Sequence, residues 1–233
     1  MVTGGKSCAG EVKWAASMAT PTPMLPAQSA WHQAVDCCLV LVAYMNEASV
    51  QALQHYFGDT PRVTVIHGNL LLQDGSADTF VSPANTIGNM DGGIDLAYRA
   101  HFGWSSGRPY QEANPLQLVI DAEYGESSEL PIGEAVVVAV EPPDGGRQRT
   151  VRHLIAAPTM KTPTSLPINS RNAYLGSLAV FRKWREHRSA GRPGMRTVAM
   201  PMFGTGVGGV PSWVAAAHMW EAFVEAWSRP EPA

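Results

Sequence analysis

Residues 82–103, SPANTIGNMDGGIDLAYRAHFG, place a polar loop and two adjacent glycines between an apolar run and an amphipathic segment. Glycines at the start of a helix usually let a bound group, often a phosphate, approach the backbone N–H groups. Asp91 and Asp95 stand on either side of the glycines and would repel a phosphate that they faced. The stretch therefore predicts a strand–loop–helix unit whose backbone and whose carboxylates contact different parts of a ligand.

Apolar runs and capped helical segments alternate on both sides of this stretch. The run DCCLVLVA is uninterrupted, which is typical of a strand covered on both faces. The turn within EPPDGGRQR predicts an antiparallel hairpin. Together the elements predict a mixed, mainly parallel sheet with helices on both faces. We predict strands at 36–43, 62–67, 78–82, 134–140, 150–156 and 195–203, and helices at 46–57, 91–102, 114–124, 170–187 and 211–227.

Composition limits the class of protein. The chain has 233 residues, a net charge of −3 and 16% charged residues, which fits one globular domain. Because it has no basic run, duplex nucleic acid is not an expected partner. No apolar stretch reaches about 18 residues, so no membrane span is expected. The three cysteines form no CxxC pair, which favours a reducing compartment over a disulfide or zinc framework. We expect a cytoplasmic location, with the nucleus as an alternative, and no metal or cofactor.

The two ends of the chain differ in composition from the middle. Residues 1–32 contain GGKSCAG and TPTPMLP and are predicted to be a flexible arm, before a domain at 33–229 and a short tail at 230–233. Near the other end, Trp213, Trp220 and Trp227 are spaced seven apart. This spacing predicts that the three rings share one face of the last helix, in the core.

A second glycine-rich loop, MFGTGVGGVP, follows the last predicted strand. Gly204, Gly206 and Gly209 match GxGxxG, but only 24 residues follow, too few for a dinucleotide-binding βαβ unit. No GK[ST] follows either, which excludes a Walker A loop. The loop predicts a nest of N–H groups for a diphosphate, with the Thr205 hydroxyl as a further donor. The alternative is a tight turn whose small residues serve packing.

Both glycine loops resemble those of macro domains, the ADP-ribose-binding modules. In that family a strand ends in an Ala-Asn pair, here Ala84-Asn85, before a glycine run, here in GGID; PMFGTGVGGVP resembles the second loop. The resemblance covers about residues 36–227. It implies a macro-domain-like three-layer α/β/α fold with a central six-stranded mixed sheet. It also implies that the partner is ADP-ribose or an ADP-ribosylated substrate.

The resemblance implies a role for each residue of the two loops. Asn85 would bond the distal ribose, while Asp95 would orient that ribose or an attacking water, with Asp91 as a third candidate catalytic residue. An amide at Asn69 stands where the family has an acid that reads adenine, and Leu70 would lie beside the ring. The other implied ligand-binding residues are Ala84, Gly92, Gly93, Ile94, Gly204, Thr205, Gly206, Val207 and Gly208.

Several interpretations of these residues stay open. Asp91 either takes part in chemistry or caps the helix, and if Asp91 and Asp95 are both helical they share one face. Asn85 either binds ligand or closes its own loop. Gly208 replaces the family's aromatic residue; either Phe203 or Trp213 fills that role, or the pocket is wider.

Three functions fit the resemblance. The first is hydrolysis of an ADP-ribosyl linkage at the distal ribose, in a mono-ADP-ribosylated target or an O-acyl-ADP-ribose. The second is a non-catalytic ADP-ribose-binding module, and the third is an ADP-ribose-1″-phosphate phosphatase. Cleavage of poly-ADP-ribose is not expected, because the glycine run with paired glutamates that marks such enzymes is missing.

Overall fold

The computed structural model describes residues 25–26, 29–44, 46–104, 114–141 and 149–228. Within these ranges six strands form one sheet. The strands are β1 (Cys38–Ala43), β2 (Val63–His67), β3 (Thr79–Ser82), β4 (Val136–Ala139), β5 (His153–Ala156) and β6 (Thr197–Pro201). The helices are α1 (Ala30–Gln33), α2 (Glu47–Phe57), α3 (Gly93–Phe102), α4 (Pro115–Tyr124), α5 (Asn172–Ser189) and α6 (Ser212–Trp227). A single 3₁₀ turn spans Leu70–Gln73.

The sheet has the strand order β2-β1-β6-β3-β5-β4. All neighbours are parallel except β4 and β5, which pair antiparallel. The predicted mixed sheet is therefore confirmed, as is the antiparallel pairing of β4 with β5; the turn predicted between them lies largely outside the described residues. Because five parallel strands end at one edge, the loops that follow them converge there.

Apolar side chains cover both faces of the sheet. On one face Leu39, Leu41 and Met200 join a buried cluster with α2, α5 and α6; on the other, Phe80 and Leu154 pack with α3 and α4. The two clusters make the three layers that the sequence predicts. Among the described residues, no helix combines the length and the apolarity that crossing a bilayer requires.

The packed part of the chain begins earlier than predicted. Trp31 in α1 is fully buried and makes edge-to-face contacts with Trp184, Phe223 and Trp227 at centroid distances of 5.8, 5.1 and 5.1 Å. Its indole N–H donates to the carbonyl of Pro61 at 2.9 Å. The prediction that a flexible arm extends to residue 32 is therefore wrong at its C-terminal end, because Trp31 is part of the core. Residues 1–24 and the predicted tail lie outside the described residues.

The prediction for the last helix is correct for two tryptophans and wrong for the third. Trp220 and Trp227 are buried, whereas Trp213 is 46% exposed. Trp213 lies in the first turn of α6, and its ring packs against His55 at 5.3 Å rather than in the core. A seven-residue spacing drifts around a straight helix by only about 20° per repeat, so it predicts a shared side of the helix but not that the first turn is covered by the core.

Candidate functional site

A cavity of about 520 Å³ lies where the loops after β1, β2, β3 and β6 converge. This volume falls within the range of about 300–1,000 Å³ typical of small-molecule sites. Every site residue predicted from the sequence lines it: Asn69, Leu70, Ala84, Asn85, Asp91, Gly92, Gly93, Ile94, Asp95, Gly204, Thr205, Gly206, Val207 and Gly208. The fold thus brings together segments that are far apart in the sequence.

The strand order gives the cavity a direction. Asn69 follows β2 at one end, and the loop that begins at Met202 follows β6 in the middle. Asn85 and Asp95 lie beyond β3 at the other end. Since neighbouring strands lie about 4.8 Å apart, the cavity extends across several strand widths along this edge. A long ligand with chemically different ends suits this shape.

Two glycines of the cavity are not required by the fold. Gly92 has an extended backbone (φ −152°), and Gly206 has no positive φ. A Cβ added at either position would meet no atom within 4 Å. Neither conformation nor packing therefore excludes a side chain there. What these glycines provide is open backbone facing space, which is what a closely bound group needs.

Gly208 differs, because the loop itself requires it. A Cβ there would lie 2.6 Å from the carbonyl oxygen of Gly204, and the Gly208 carbonyl accepts from the Leu166 N–H at 2.8 Å. The Val210 N–H closes the loop by donating to Gly204 at 2.9 Å. An aromatic side chain at position 208 is therefore incompatible with this loop conformation.

Neither candidate replaces that missing aromatic ring. Phe203 is fully buried and packs against Gly176 of α5, where a Cβ would come within 2.9 Å of the ring. Trp213 does not line the cavity. Among the described lining residues the only aromatic side chain is Tyr44, which is 71% exposed. Sequence reasoning missed Tyr44, although its place directly after a predicted parallel strand was the available signal.

Asp95 is a buried carboxyl group at the cavity wall. It lies in the first turn of α3, is 7% exposed, and accepts a hydrogen bond on Oδ1 from the Ser82 hydroxyl at 2.5 Å. Burial raises the pKa of Asp95 to about 7; the Ser82 hydrogen bond opposes this rise and the charge of Asp91 adds to it. A carboxyl group with such a pKa exchanges a proton near neutral pH, as a general acid or base must.

Asp91 does not cap the helix. The N-cap of α3 is Gly92, which makes no side-chain cap bond, and Asp91 lies one residue earlier, exposed at the cavity. The capping interpretation is therefore wrong, and the condition for an i, i+4 pair with Asp95, that both residues be helical, is not met. The extended backbone of Gly92 separates Asp91 from the helix.

The two candidate amides both have structural bonds. Asn85 donates from Nδ2 to the Asn89 carbonyl at 2.9 Å and accepts on Oδ1 from the Asn89 N–H at 3.1 Å, which closes the loop. The oxygen of Asn69 accepts from the Leu71 N–H at 3.0 Å and caps the 3₁₀ turn. Each amide oxygen keeps a second lone pair and each NH₂ group a further N–H. Both side chains are thus held in place with bonding capacity left for a ligand.

The described cavity lining is acidic and has no basic side chain. Asp91 and Asp95 are its ionisable groups apart from Tyr44, and no Lys, Arg or His lines it. Within the described part of the chain no group of three or more His, Cys, Asp or Glu residues could hold a metal ion. An anion bound here would meet backbone N–H groups rather than cationic side chains.

The family model for the macro domain matches residues 81–219. The chain belongs to the macro domain family. The match includes both glycine loops, Asn85 and Asp95, and it leaves Tyr44 and Asn69 outside, although the fold places them on the same cavity. The resemblance inferred from the two loops is confirmed.

Two proteins of other organisms are similar to this macro domain in sequence. An uncharacterized protein of Aquifex aeolicus is 30% identical over 159 residues, covering 68% of this chain and 79% of that protein. One from Aeropyrum pernix is 32% identical over 134 residues, covering 58% and 57%.

Among solved structures, the macrodomain of Mycobacterium tuberculosis DarG is similar at 21% identity, with a TM-score of 0.48, covering 70% of this chain and 90% of that one. A variant of the Oceanobacillus iheyensis macrodomain with ADPR is similar at 17% identity, with a TM-score of 0.49, covering 69% and 76%.

Proposed function

We propose that this macro domain binds ADP-ribose in the cavity at the edge of the sheet and hydrolyses an ADP-ribosyl linkage at the distal ribose. The observation that carries the catalytic part is Asp95, a buried carboxyl group on the cavity wall whose pKa is raised to about 7. Family membership supports the choice of ADP-ribose.

The glycine loops would hold the diphosphate. Gly92 and Gly206 leave open space beside their backbone, and Gly93 begins α3, where N–H groups without helical partners point outward. No cationic side chain lines the described cavity. The backbone N–H dipoles would therefore be the groups that stabilise the two negative charges of the diphosphate. Thr205 would add its hydroxyl, which makes only a long contact of 3.5 Å with the Met202 carbonyl.

The ends of the ligand would follow the order of the strands. The base would lie at the β1–β2 end, on the Tyr44 ring and beside Asn69 and Leu70. The distal ribose would lie beyond β3, near Asn85 and Asp95. This orientation agrees with the roles that the family resemblance implies.

Hydrolysis at that ribose needs a water molecule and a proton carrier. The ionised form of Asp95 would accept a proton as water attacks C1″, and the protonated form would then return it to the departing oxygen or nitrogen. A pKa of about 7 populates both forms near neutral pH. Asp91, exposed at the same end, would stabilise positive charge that develops on the ribose.

The acidic lining distinguishes between the alternatives. A phosphatase for ADP-ribose-1″-phosphate would have to bring a second phosphate beside Asp91 and Asp95 without a nearby cation in the described lining. Like charges in one site oppose each other, so this substrate is disfavoured. A non-catalytic binding module would not need a carboxyl group with a pKa near neutrality.

Turnover measurements test the proposal. Purified protein is incubated with mono-ADP-ribosylated protein, O-acetyl-ADP-ribose and ADP-ribose-1″-phosphate, alongside Asp95→Asn and the control Asp59→Asn, whose exposed side chain does not line the cavity. We expect release of ADP-ribose from one of the first two substrates, loss of at least about 100-fold in Asp95→Asn, and no change in the control. Binding of ADP-ribose without turnover of any substrate would contradict the hydrolase proposal and support a non-catalytic ADP-ribose-binding module.

A further inference from the structure

Ser82 is the last residue of β3, and its side chain is fully buried. Its hydroxyl donates to Oδ1 of Asp95 at 2.5 Å. Among the described residues, Ser82 is the side-chain donor that bonds the Asp95 carboxyl group. The family resemblance implies no role for Ser82, which the sequence predicts only as the last residue of a strand.

We propose that Ser82 is a positioning residue that makes Oδ2 of Asp95 the oxygen that exchanges the proton with substrate or water. The inference rests on the proposed function of Asp95. Since the hydroxyl donates to Oδ1, that oxygen is engaged as an acceptor, and a proton on the carboxyl group lies on Oδ2. Without this bond no side-chain hydrogen bond among the described residues would distinguish the two oxygens of this buried carboxyl group.

The backbone around Ser82 is fixed from two sides. In the sheet Ser82 pairs with Ala156, and its carbonyl accepts from the Ala157 N–H at 3.0 Å. The preceding residue, Val81, accepts from the hydroxyl of Tyr98 in α3 at 2.8 Å. Asp95 and Tyr98 are three residues apart, so they share one face of the helix. Two consecutive residues of β3, Val81 and Ser82, thus hydrogen-bond to one face of α3. These bonds set the direction of the Asp95 carboxyl group.

The groups around Asp95 make the role of Ser82 measurable. Burial and the charge of Asp91 raise the pKa of Asp95, whereas the Ser82 hydroxyl lowers it by stabilising the ionised form. Tyr98, which is fully buried beside Asp95, has a pKa raised well above its usual value and remains neutral. Removing the Ser82 hydroxyl should therefore raise the pKa of Asp95 further, with no other change of charge nearby.

The test compares Ser82→Ala with a hydroxyl removed from the same strand. Thr79→Val is the matched control, because Thr79 is equally buried in β3 but donates to Asp78, at the other end of the strand. The carboxyl ¹³C signal of Asp95 is titrated by NMR in each protein, without ligand. For Ser82→Ala we expect a midpoint higher by about one pH unit or more. The same shift should appear in the pH profile of kcat/KM, while ADP-ribose affinity changes less than about 3-fold.

The outcomes separate this inference from the proposed function. An unchanged Asp95 midpoint in Ser82→Ala, or an equal shift in Thr79→Val, would overturn the role of Ser82 even if the wild type is active. Absence of ADP-ribose binding by the wild type would overturn the proposed function, while the titration still tests the link between Ser82 and Asp95. If Ser82→Ala does not fold, Ser82→Cys, with a thiol as a weaker donor, should give a smaller upward shift; no shift there would contradict the inference.

Discussion

Gly208 and Gly204 approach so closely that a Cβ on Gly208 would lie 2.6 Å from the Gly204 carbonyl oxygen. The loop after β6 is therefore folded onto itself. Two residues earlier, Gly206 has open space beside its Cα, since a Cβ there would meet no atom within 4 Å. One glycine serves the fold, and the other leaves space at the cavity.

This contrast makes opposite predictions for two alanine substitutions. Gly208→Ala should lower the free energy of unfolding by about 1–3 kcal/mol, because the new methyl group overlaps a backbone carbonyl. Gly206→Ala should leave stability nearly unchanged and weaken ADP-ribose binding at least about 10-fold, because the methyl group occupies the space beside the loop. Urea unfolding and calorimetry measure the two effects. Normal ADP-ribose affinity in a stable Gly206→Ala protein would contradict the placement of the diphosphate.

Tyr44 should govern recognition of the base. Stacking of a base on an aromatic ring contributes about 1–3 kcal/mol, so Tyr44→Ala should weaken binding of ADP-ribose and of AMP by about 5- to 150-fold. Tyr44→Phe should bind nearly as well as the wild type. Ribose 5-phosphate, which lacks a base, should bind the wild type and Tyr44→Ala equally.

The control for Tyr44 is Tyr124→Ala. Tyr124 ends α4, is also exposed, and does not line the cavity. An equal loss in both alanine variants, or a loss for ribose 5-phosphate as large as for AMP, would show that Tyr44 does not contact the base.

Asp95 should make stability depend on pH in an unusual direction. Its pKa is about 7 in the folded protein against 3.8 for the free group, so the folded state keeps a proton that the unfolded chain releases between these values. Stability from this group is complete below the unfolded pKa of 3.8, decreases as the pH rises towards the folded pKa of about 7, and is fully lost above it. Asp95→Asn lacks this loss, so its stability relative to the wild type should increase by about 2–3 kcal/mol from pH 5 to pH 8.

Urea unfolding of both proteins at the two pH values measures this change. Asp59→Asn serves as the control, because it makes the same change at an exposed position outside the cavity. A constant difference between Asp95→Asn and the wild type at pH 5 and pH 8 would mean that the carboxyl group is ionised normally.

Most of the fold and the location of the candidate site follow from sequence patterns. Apolar runs such as 38–43, bounded by turn and cap residues, identify strands and helices without tertiary information. Parallel strands direct the loops that follow them to one edge, so two glycine loops far apart in sequence were expected to meet. Their side chains and backbones indeed line one cavity.

Other features depend on tertiary contacts that sequence patterns do not encode. Trp31 is buried because three rings of α5 and α6 surround it, although its neighbours in sequence resemble a linker. The N-cap of α3 is Gly92 rather than Asp91, although aspartate is the better cap residue, so local cap preference does not decide where this helix begins. The proton affinity of Asp95 depends on its burial, which a sequence does not show.

Isothermal titration calorimetry with ADP-ribose measures directly whether the cavity binds this ligand. We predict one ADP-ribose bound per chain in the wild type, weaker binding of AMP and of ribose 5-phosphate, and weaker ADP-ribose binding in Gly206→Ala. A folded wild-type protein that gives no binding signal with ADP-ribose up to about 1 mM, which corresponds to about 4 kcal/mol of binding free energy, would contradict the assignment of the cavity as an ADP-ribose site.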